Sequence, residues 1–165
     1  MERLLGYLRQ NLGKRHVCLS RQPDGQEAFC FQAMGRNGNW PVTITLEKDI
    51  GEKDIGEKDA GALAICSTLP LTIDRSRRQA IAELVTRLND AAEEGHFAAP
   101  DASGRIRYRS RHDIPAGTGT AGLRLAIERH VAAVDGDLSS FFAVVAGGQT
   151  PTEAVDQLER MRRYG

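Results

Sequence analysis

The chain has 165 residues, 22 Lys plus Arg against 22 Asp plus Glu, 41% hydrophobic and 27% charged residues. At roughly 150 residues per domain this predicts one domain over 1–165, long enough to bury a core without disulfides or metals. A formal net charge of zero discounts a chain held to nucleic acid by bulk charge. No apolar run approaches the ~18 residues of a membrane span. The opening Met-Glu-Arg-Leu-Leu-Gly-Tyr-Leu lacks the basic start, apolar run and cleavage site of a secretory leader, so a cytoplasmic location is expected.

Leu4, Leu5, Leu8 and Leu12 recur at helical spacing over 2–12, and Gly13 suits the helix end. Residues 17–21 and 28–33 read as strands around a turn at Pro23-Asp24-Gly25. Asn37-Gly38-Asn39 marks a second turn. A strand over 40–46 follows, with Val42, Ile44 and Leu46 alternating against Thr43 and Thr45, one face buried and one wet. Residues 47–61 are three near-identical pentads, EKDIG-EKDIG-EKDAG. A period of five fits neither a helix face nor a strand face, and the acids do not follow a calcium-loop pattern. A mobile loop inserted in a hairpin is expected there. Strand character returns over 62–68, and Pro70 is expected to end it.

Asp74 is placed to cap a helix over 75–94, with Ile81, Leu84, Val85, Leu88 and Ala92 on its stripe and Gly95 closing it. Residues 96–99 and 105–114 form a predicted hairpin around Pro100-Asp101-Ala102-Ser103-Gly104. A helix over 121–134 turns Leu123, Ile127, Val131 and Val134 inward, and Asp135-Gly136-Asp137 is expected to break it. Residues 139–146 fit a further helix through Phe141, Phe142 and Val145, closed by Gly147-Gly148. The last helix has a capping-box start, with Thr150 as cap, Pro151 first and Glu153 third; Ala154, Val155, Leu158 and Met161 form its stripe. Strands in hairpin runs, with helices between and after them, predict an α+β fold with an antiparallel sheet.

Few residues suggest chemistry. Cys18, Cys30 and Cys66 are too widely spaced for a disulfide framework or a CxxC zinc site, and each sits in an apolar, strand-like stretch. Cys18 and Cys30 flank a hairpin turn, which leaves redox sensing open. Gly117-Thr118-Gly119-Thr120-Ala121-Gly122 matches GxGxxG. A dinucleotide site needs a buried parallel strand before it, however, and here arginine occupies every second position of that strand. A Gly/Thr loop with Thr118 or Thr120 as helix cap is expected instead.

That strand carries the most unusual local feature. Arg105, Arg107, Arg109 and Arg111 project to one face, while Ile106 and Tyr108 project to the core. Such a face is either solvated and partly paired with acids, or a docking surface, since guanidinium groups grip carboxylate and phosphate bidentately. His16, His96, His112 and His130 are scattered, with no HExxH pattern, and read as structural or surface residues. Glu93-Glu94, Asp135 and Asp137 read as solvated helix-end acids, and Arg160, Arg162 and Arg163 suit a helix C-terminus. No constellation meets the needs of a catalytic site.

Leu69-Pro70, the 78–89 stretch ending Arg87-Leu88-Asn89, Gly95-His96-Phe97 and the 104–109 stretch together resemble the YbjN family of bacterial sensory transduction regulators. The helix at 121–134, the aromatic-rich 138–146 segment and Thr150-Pro151-Thr152-Glu153-Ala154 after Gly148 resemble it too, so the resemblance spans most of the chain. It implies a fold similar to type III secretion chaperones, a non-enzymatic role in regulation or protein binding, and no catalytic residues or cofactor. The pentads at 47–61 depart from the family pattern. The expected function is therefore a non-catalytic, regulatory or chaperone-like interaction module that binds a protein partner or a second copy of itself. The alternative is a nucleic-acid- or anion-binding module using Arg105, Arg107, Arg109 and Arg111.

Overall fold

A computed structural model describes residues 17–21, 27–48, 61–115 and 120–164, with Gly6, Gln10 and Gly25 as isolated positions. The helix expected over 2–12, the turn residues Pro23 and Asp24, most of the pentads and Gly117-Thr118-Gly119 lie outside the described residues.

Among the described residues six strands build one sheet: β1 (Val17–Arg21), β2 (Glu27–Met34), β3 (Asn39–Lys48), β4 (Gly61–Thr72), β5 (His96–Phe97) and β6 (Arg105–Ile114). Their order across the sheet is β1-β2-β3-β4-β6-β5, and every neighbouring pair is antiparallel. Among the elements described in full, three α-helices, α1 (Arg78–Asp90), α2 (Thr120–Val145) and α3 (Pro151–Tyr164), join the sheet in an α+β fold. Register makes the apolar positions coincide. Phe29 lies opposite Ile44, Phe31 opposite Val42, and Ile44 opposite Ile65. With a side-chain period of two, these residues fall on one face, and the helices cover that face with Ile81, Leu84, Leu138 and Phe141. Each of these large side chains, fully buried, contributes roughly 1.5–3 kcal/mol. Among the described residues no helix is long and apolar enough to cross a membrane.

Several expectations are corrected. The helix expected over 75–94 is a 3-10 turn, Arg75–Arg77, followed by α1, which ends at Asp90. Asp74 makes no side-chain cap; only its carbonyl accepts the Arg77 amide, at 3.0 Å. The early end has a cause. The Asn89 side chain accepts the Phe97 amide at 2.7 Å and donates to the Phe97 carbonyl at 2.9 Å, drawing the following chain into β5. Gly95 serves that turn and not the helix end. Its φ is +74°, and a Cβ there would stand 2.5 Å from the Tyr108 hydroxyl.

Pro70 does not end β4, which runs on to Thr72. The pairing with β6 slips between Thr68 and Thr72, and a bulge of that kind tolerates a residue without an N–H. The first and last pentads lend Glu47, Lys48 and Gly61 to β3 and β4, where Glu47 pairs with Ala62 and Lys48 with Gly61. Asp135-Gly136-Asp137 does not break a helix either; α2 runs unbroken for 26 residues. Leu123, Ile127, Val134, Leu138 and Phe141 continue one buried stripe through it, and burying that stripe outweighs the roughly 1 kcal/mol cost of an interior glycine. Val131 is half-buried, and His130 takes the inward position beside it. The last helix starts as expected. Thr150 donates its amide and hydroxyl to the Glu153 carboxylate at 2.8 Å each, and its hydroxyl accepts the Glu153 amide at 3.3 Å.

Candidate functional site on the two faces of β6

On the outer face of β6 the alternation holds as read. Arg105, Arg109 and Arg111 are exposed and Arg107 is half-buried, while Ile106 and Tyr108 are buried on the other side. Two of the four arginines meet acids. Arg107 pairs with Asp101 at 3.5 Å; Arg111 pairs with Asp113 at 2.7 Å and Glu47 at 3.2 Å. Arg105 and Arg109 have no ion-pair partner among the described residues. Beside the arginines, Thr43, Thr45, Ala64, Cys66 and Thr68 floor a shallow trough that also takes in His96. These floor residues are small, so the arginine stems and heads stand above them as a rim.

On the inner face the same strand carries Tyr108, Ser110 and His112, and these meet residues from β3, β4 and α2 in one hydrogen-bonded chain. Trp40 Nε1 donates to Ser67 Oγ at 3.0 Å, and Ser67 Oγ lies 2.8 Å from His130 Nε2. His130 Nδ1 lies 2.7 Å from Ser110 Oγ, which lies 2.9 Å from His112 Nε2. His112 Nδ1 is 3.9 Å from the Glu94 carboxylate, whose other oxygen is 3.2 Å from Arg129. One direction of donation satisfies every member: Trp40 to Ser67, Ser67 to His130, His130 to Ser110, Ser110 to His112. That direction requires a neutral imidazole at His130. Burial enforces it, pushing the His130 pKa down to about 3, with His112 adding to the effect. Burial also lowers the His112 pKa, opposed by the Glu94 carboxylate and reinforced by Arg129.

A cleft of about 520 Å³ opens beside this chain, between the end of α1, the inner face of β6, α2 and α3. Leu88, Phe97 and Ala133 form its apolar wall, and His112, Asp137 and Arg162 its polar one. Asp137 is 7% exposed and takes an ion pair from Arg162 at 2.5 Å. Burial raises its pKa to about 6 although Arg162 opposes the shift. Tyr108 packs its ring against Phe97 and His130, with centroids 4.7 and 5.0 Å apart, and donates to the Glu94 carbonyl. Burial pushes its pKa up to about 12, with Asp137 and Glu94 adding.

Of the acids expected to be solvated helix-end groups, Glu93 and Glu94 are exposed, but Asp135 and Asp137 are not simply solvated. Asp137 is buried and paired, Glu94 meets Arg129 and His112, and Asp135 accepts the amides of Arg36 and Asn37 at 3.0 and 2.9 Å. Asp135 thereby holds the turn between β2 and β3 against α2. Sequence reading missed this polar chain because its members are far apart: position 67 meets 130, and 130 meets 110. A signal was present nonetheless. Ser67 follows Leu63 and Ile65 at period two, Ser110 follows Ile106 and Tyr108, and His130 lies on the Leu123–Val134 helical stripe. A polar residue at an inward register position needs a partner, and three of them predict each other.

Among the described residues no group of His, Cys, Asp and Glu is placed to hold a metal ion. Compared with known proteins, the chain matches no family model and no curated protein.

Proposed function

We propose that the chain is a non-catalytic interaction module of the cytoplasm, regulatory or chaperone-like, that docks an acidic protein segment on the outer face of its sheet. The observation that carries this reading is the asymmetry of that sheet. The described helices bury one face, and the other presents a small-residue trough rimmed by Arg107, Arg109 and Arg111. An extended segment laid in the trough would meet threonine hydroxyls on its floor and guanidinium groups at its edge. The resemblance to the YbjN family and its secretion-chaperone-like fold points the same way, and a second copy of the chain is one candidate partner. A nucleic-acid backbone suits the rim less well. Asp101, Glu47 and Asp113 stand among the arginines and would repel a uniform polyanion, whereas a protein segment can place its acids selectively.

The inner polar chain supports a structural reading. Each of its hydroxyl and imidazole groups is spent on a neighbour, and it ends on an ion pair.

The test is fluorescence anisotropy with a labelled extended peptide of alternating Glu and Val, and with single-stranded DNA of matched length. The expected result is binding of the peptide that Arg107→Glu with Arg109→Glu weakens by more than about tenfold, a loss of at least about 1.4 kcal/mol. Unchanged binding by a folded double variant overturns the assignment of the face. Tighter binding of the DNA, lost steeply between low and physiological salt, replaces the protein partner with nucleic acid.

A further inference from the structure

The register places all three cysteines in a single transverse row on the outer face. Cys18 lies opposite Cys30, Cys30 opposite Thr43, Thr43 opposite Cys66, Cys66 opposite Arg109, and Arg109 opposite His96. Within this row only one pair is adjacent. Directly opposed residues of an antiparallel pair have Cα atoms about 4.5–5.5 Å apart, inside the window of about 4.4–6.8 Å that a disulfide spans. Cys30 and Cys66 are separated by a whole strand, about 9.5 Å, beyond that window. Cys18 is exposed and Cys30 half-buried. The Cys18 sulfur already leans across the strand gap, 3.5 Å from the Cys30 carbonyl oxygen. Cys30 Sγ is held on the same face between the hydroxyls of Ser20, at 3.3 Å, and Thr43, at 3.8 Å.

We infer that Cys18 and Cys30 are a redox-active dithiol that a small-molecule disulfide closes into a cross-strand bond, with Cys66 left as a free thiol. The exposed Cys18 is the first to react. Its thiolate attacks one sulfur of oxidised glutathione, forming a mixed disulfide and releasing one glutathione thiolate. The Cys30 thiolate then attacks Cys18 Sγ, forming the Cys18–Cys30 bond and releasing the second glutathione thiolate. The two protein thiols lose two protons and two electrons, and the glutathione disulfide gains the electrons. The bond ties edge strand β1 to β2, one strand beyond Thr43, which lines the trough that also takes in Arg109 and His96.

The full chain is incubated with oxidised glutathione, free thiols are alkylated, and tryptic fragments are weighed. Cys18 lies in fragment 16–21, Cys30 in 22–36 and Cys66 in 59–75. The expected product is a linked pair of 16–21 with 22–36, together with alkylated 59–75. Mixing isotope-labelled and unlabelled chains before oxidation must leave the linked pair within one chain. Cys66→Ser must preserve the link, and Cys18→Ser must abolish it. Alkylation of both Cys18 and Cys30, separate glutathione adducts on each that never link, or links that join labelled to unlabelled chains each overturn the inference.

Discussion

The two faces of β6 show how one strand divides its work. Outward, Arg105, Arg107, Arg109 and Arg111 stand in or near water, and their paired members make exposed ion pairs worth about 0–1 kcal/mol each. Inward, Ile106, Tyr108, Ser110 and His112 are buried or hydrogen-bonded, with partners in β5, in α2 and at Glu94. The same alternation therefore produces a surface whose residues are nearly free to change and a layer whose residues constrain one another. The inner face holds the fold together, the proposed recognition would use the outer one, and substitutions can separate the two.

The largest expected effect is on the inner face. Tyr108→Ala removes a buried ring that touches Phe97 and His130 and a hydroxyl that satisfies the Glu94 carbonyl. Truncation of a buried aromatic costs about 3–5 kcal/mol, read as a fall in urea midpoint at unchanged slope. A cost under about 1 kcal/mol would mean that the inner face does not hold the helices on the sheet.

Next comes His130→Leu, which removes the acceptor of the Ser67 hydroxyl and the donor to Ser110, while Trp40 still donates to Ser67 and Ser110 to His112. The buried Ser67 hydroxyl, left with no acceptor for its proton, sets a scale of about 1–3 kcal/mol, to which the loss of the His130–Ser110 bond adds. The variant also changes the pH profile. His130 has a folded pKa of about 3 against an ordinary 6.5, so its contribution is fully present above about pH 6.5 and is lost as pH falls toward 3. Asp137 works in the opposite direction. Its folded pKa of about 6 lies above the ordinary 3.8, so its contribution is present below about pH 4 and is lost as pH rises through 6. The two oppose each other between these limits, with His112, Glu94 and Arg129 near His130 and Arg162 beside Asp137. Urea unfolding at several pH values should show the native chain losing stability on acidification and the His130→Leu variant losing much less. Equal acid sensitivity in both would remove His130 as the cause.

The same contrast explains what the sequence disclosed. Period-two alternation in 40–46 and 105–111 identified both sheet faces, because burial repeats locally. Thr150-Pro151 and Glu153 identified the start of α3, because that signature closes within four residues. Gly136 and Pro70 misled for the opposite reason: each is an intrinsic breaker overruled by contacts made elsewhere, the buried stripe of α2 and the bulge opposite β6. Asn89 ending α1 on Phe97 and Asp135 capping a turn nearly a hundred residues away were not legible at all, since nothing local marks a side chain whose partner is distant.

A smaller effect lies where the layers are tied together. Asp135→Ala withdraws a carboxylate from the Arg36 and Asn37 amides, although the Asn37 side chain still donates to the Asp135 carbonyl at 2.8 Å. Those amides are near solvent, so water replaces part of what is lost, and the cost should be about 1–2 kcal/mol. Hydrogen exchange should speed up at Arg36 and Asn37 before it does in β4. Uniform acceleration across the sheet would instead show that the turn has no local stability of its own.

The smallest stability effect, and the one that most sharpens the contrast, is Arg109→Ala. Arg109 is exposed, its β6 neighbours Tyr108 and Ser110 point the other way, and it has no ion-pair partner among the described residues. A surface change of this kind stays within about 0.5 kcal/mol. It could even stabilise slightly, because four guanidinium groups on one strand face repel one another and removing one relieves the other three. If the outer face exists for recognition, the variant keeps its melting temperature and loses affinity for the acidic peptide. If the arginines are only a solvated edge, neither quantity moves. A melting temperature that falls as far as in Tyr108→Ala would break the division itself, because it would place an outer residue among those that hold the fold together.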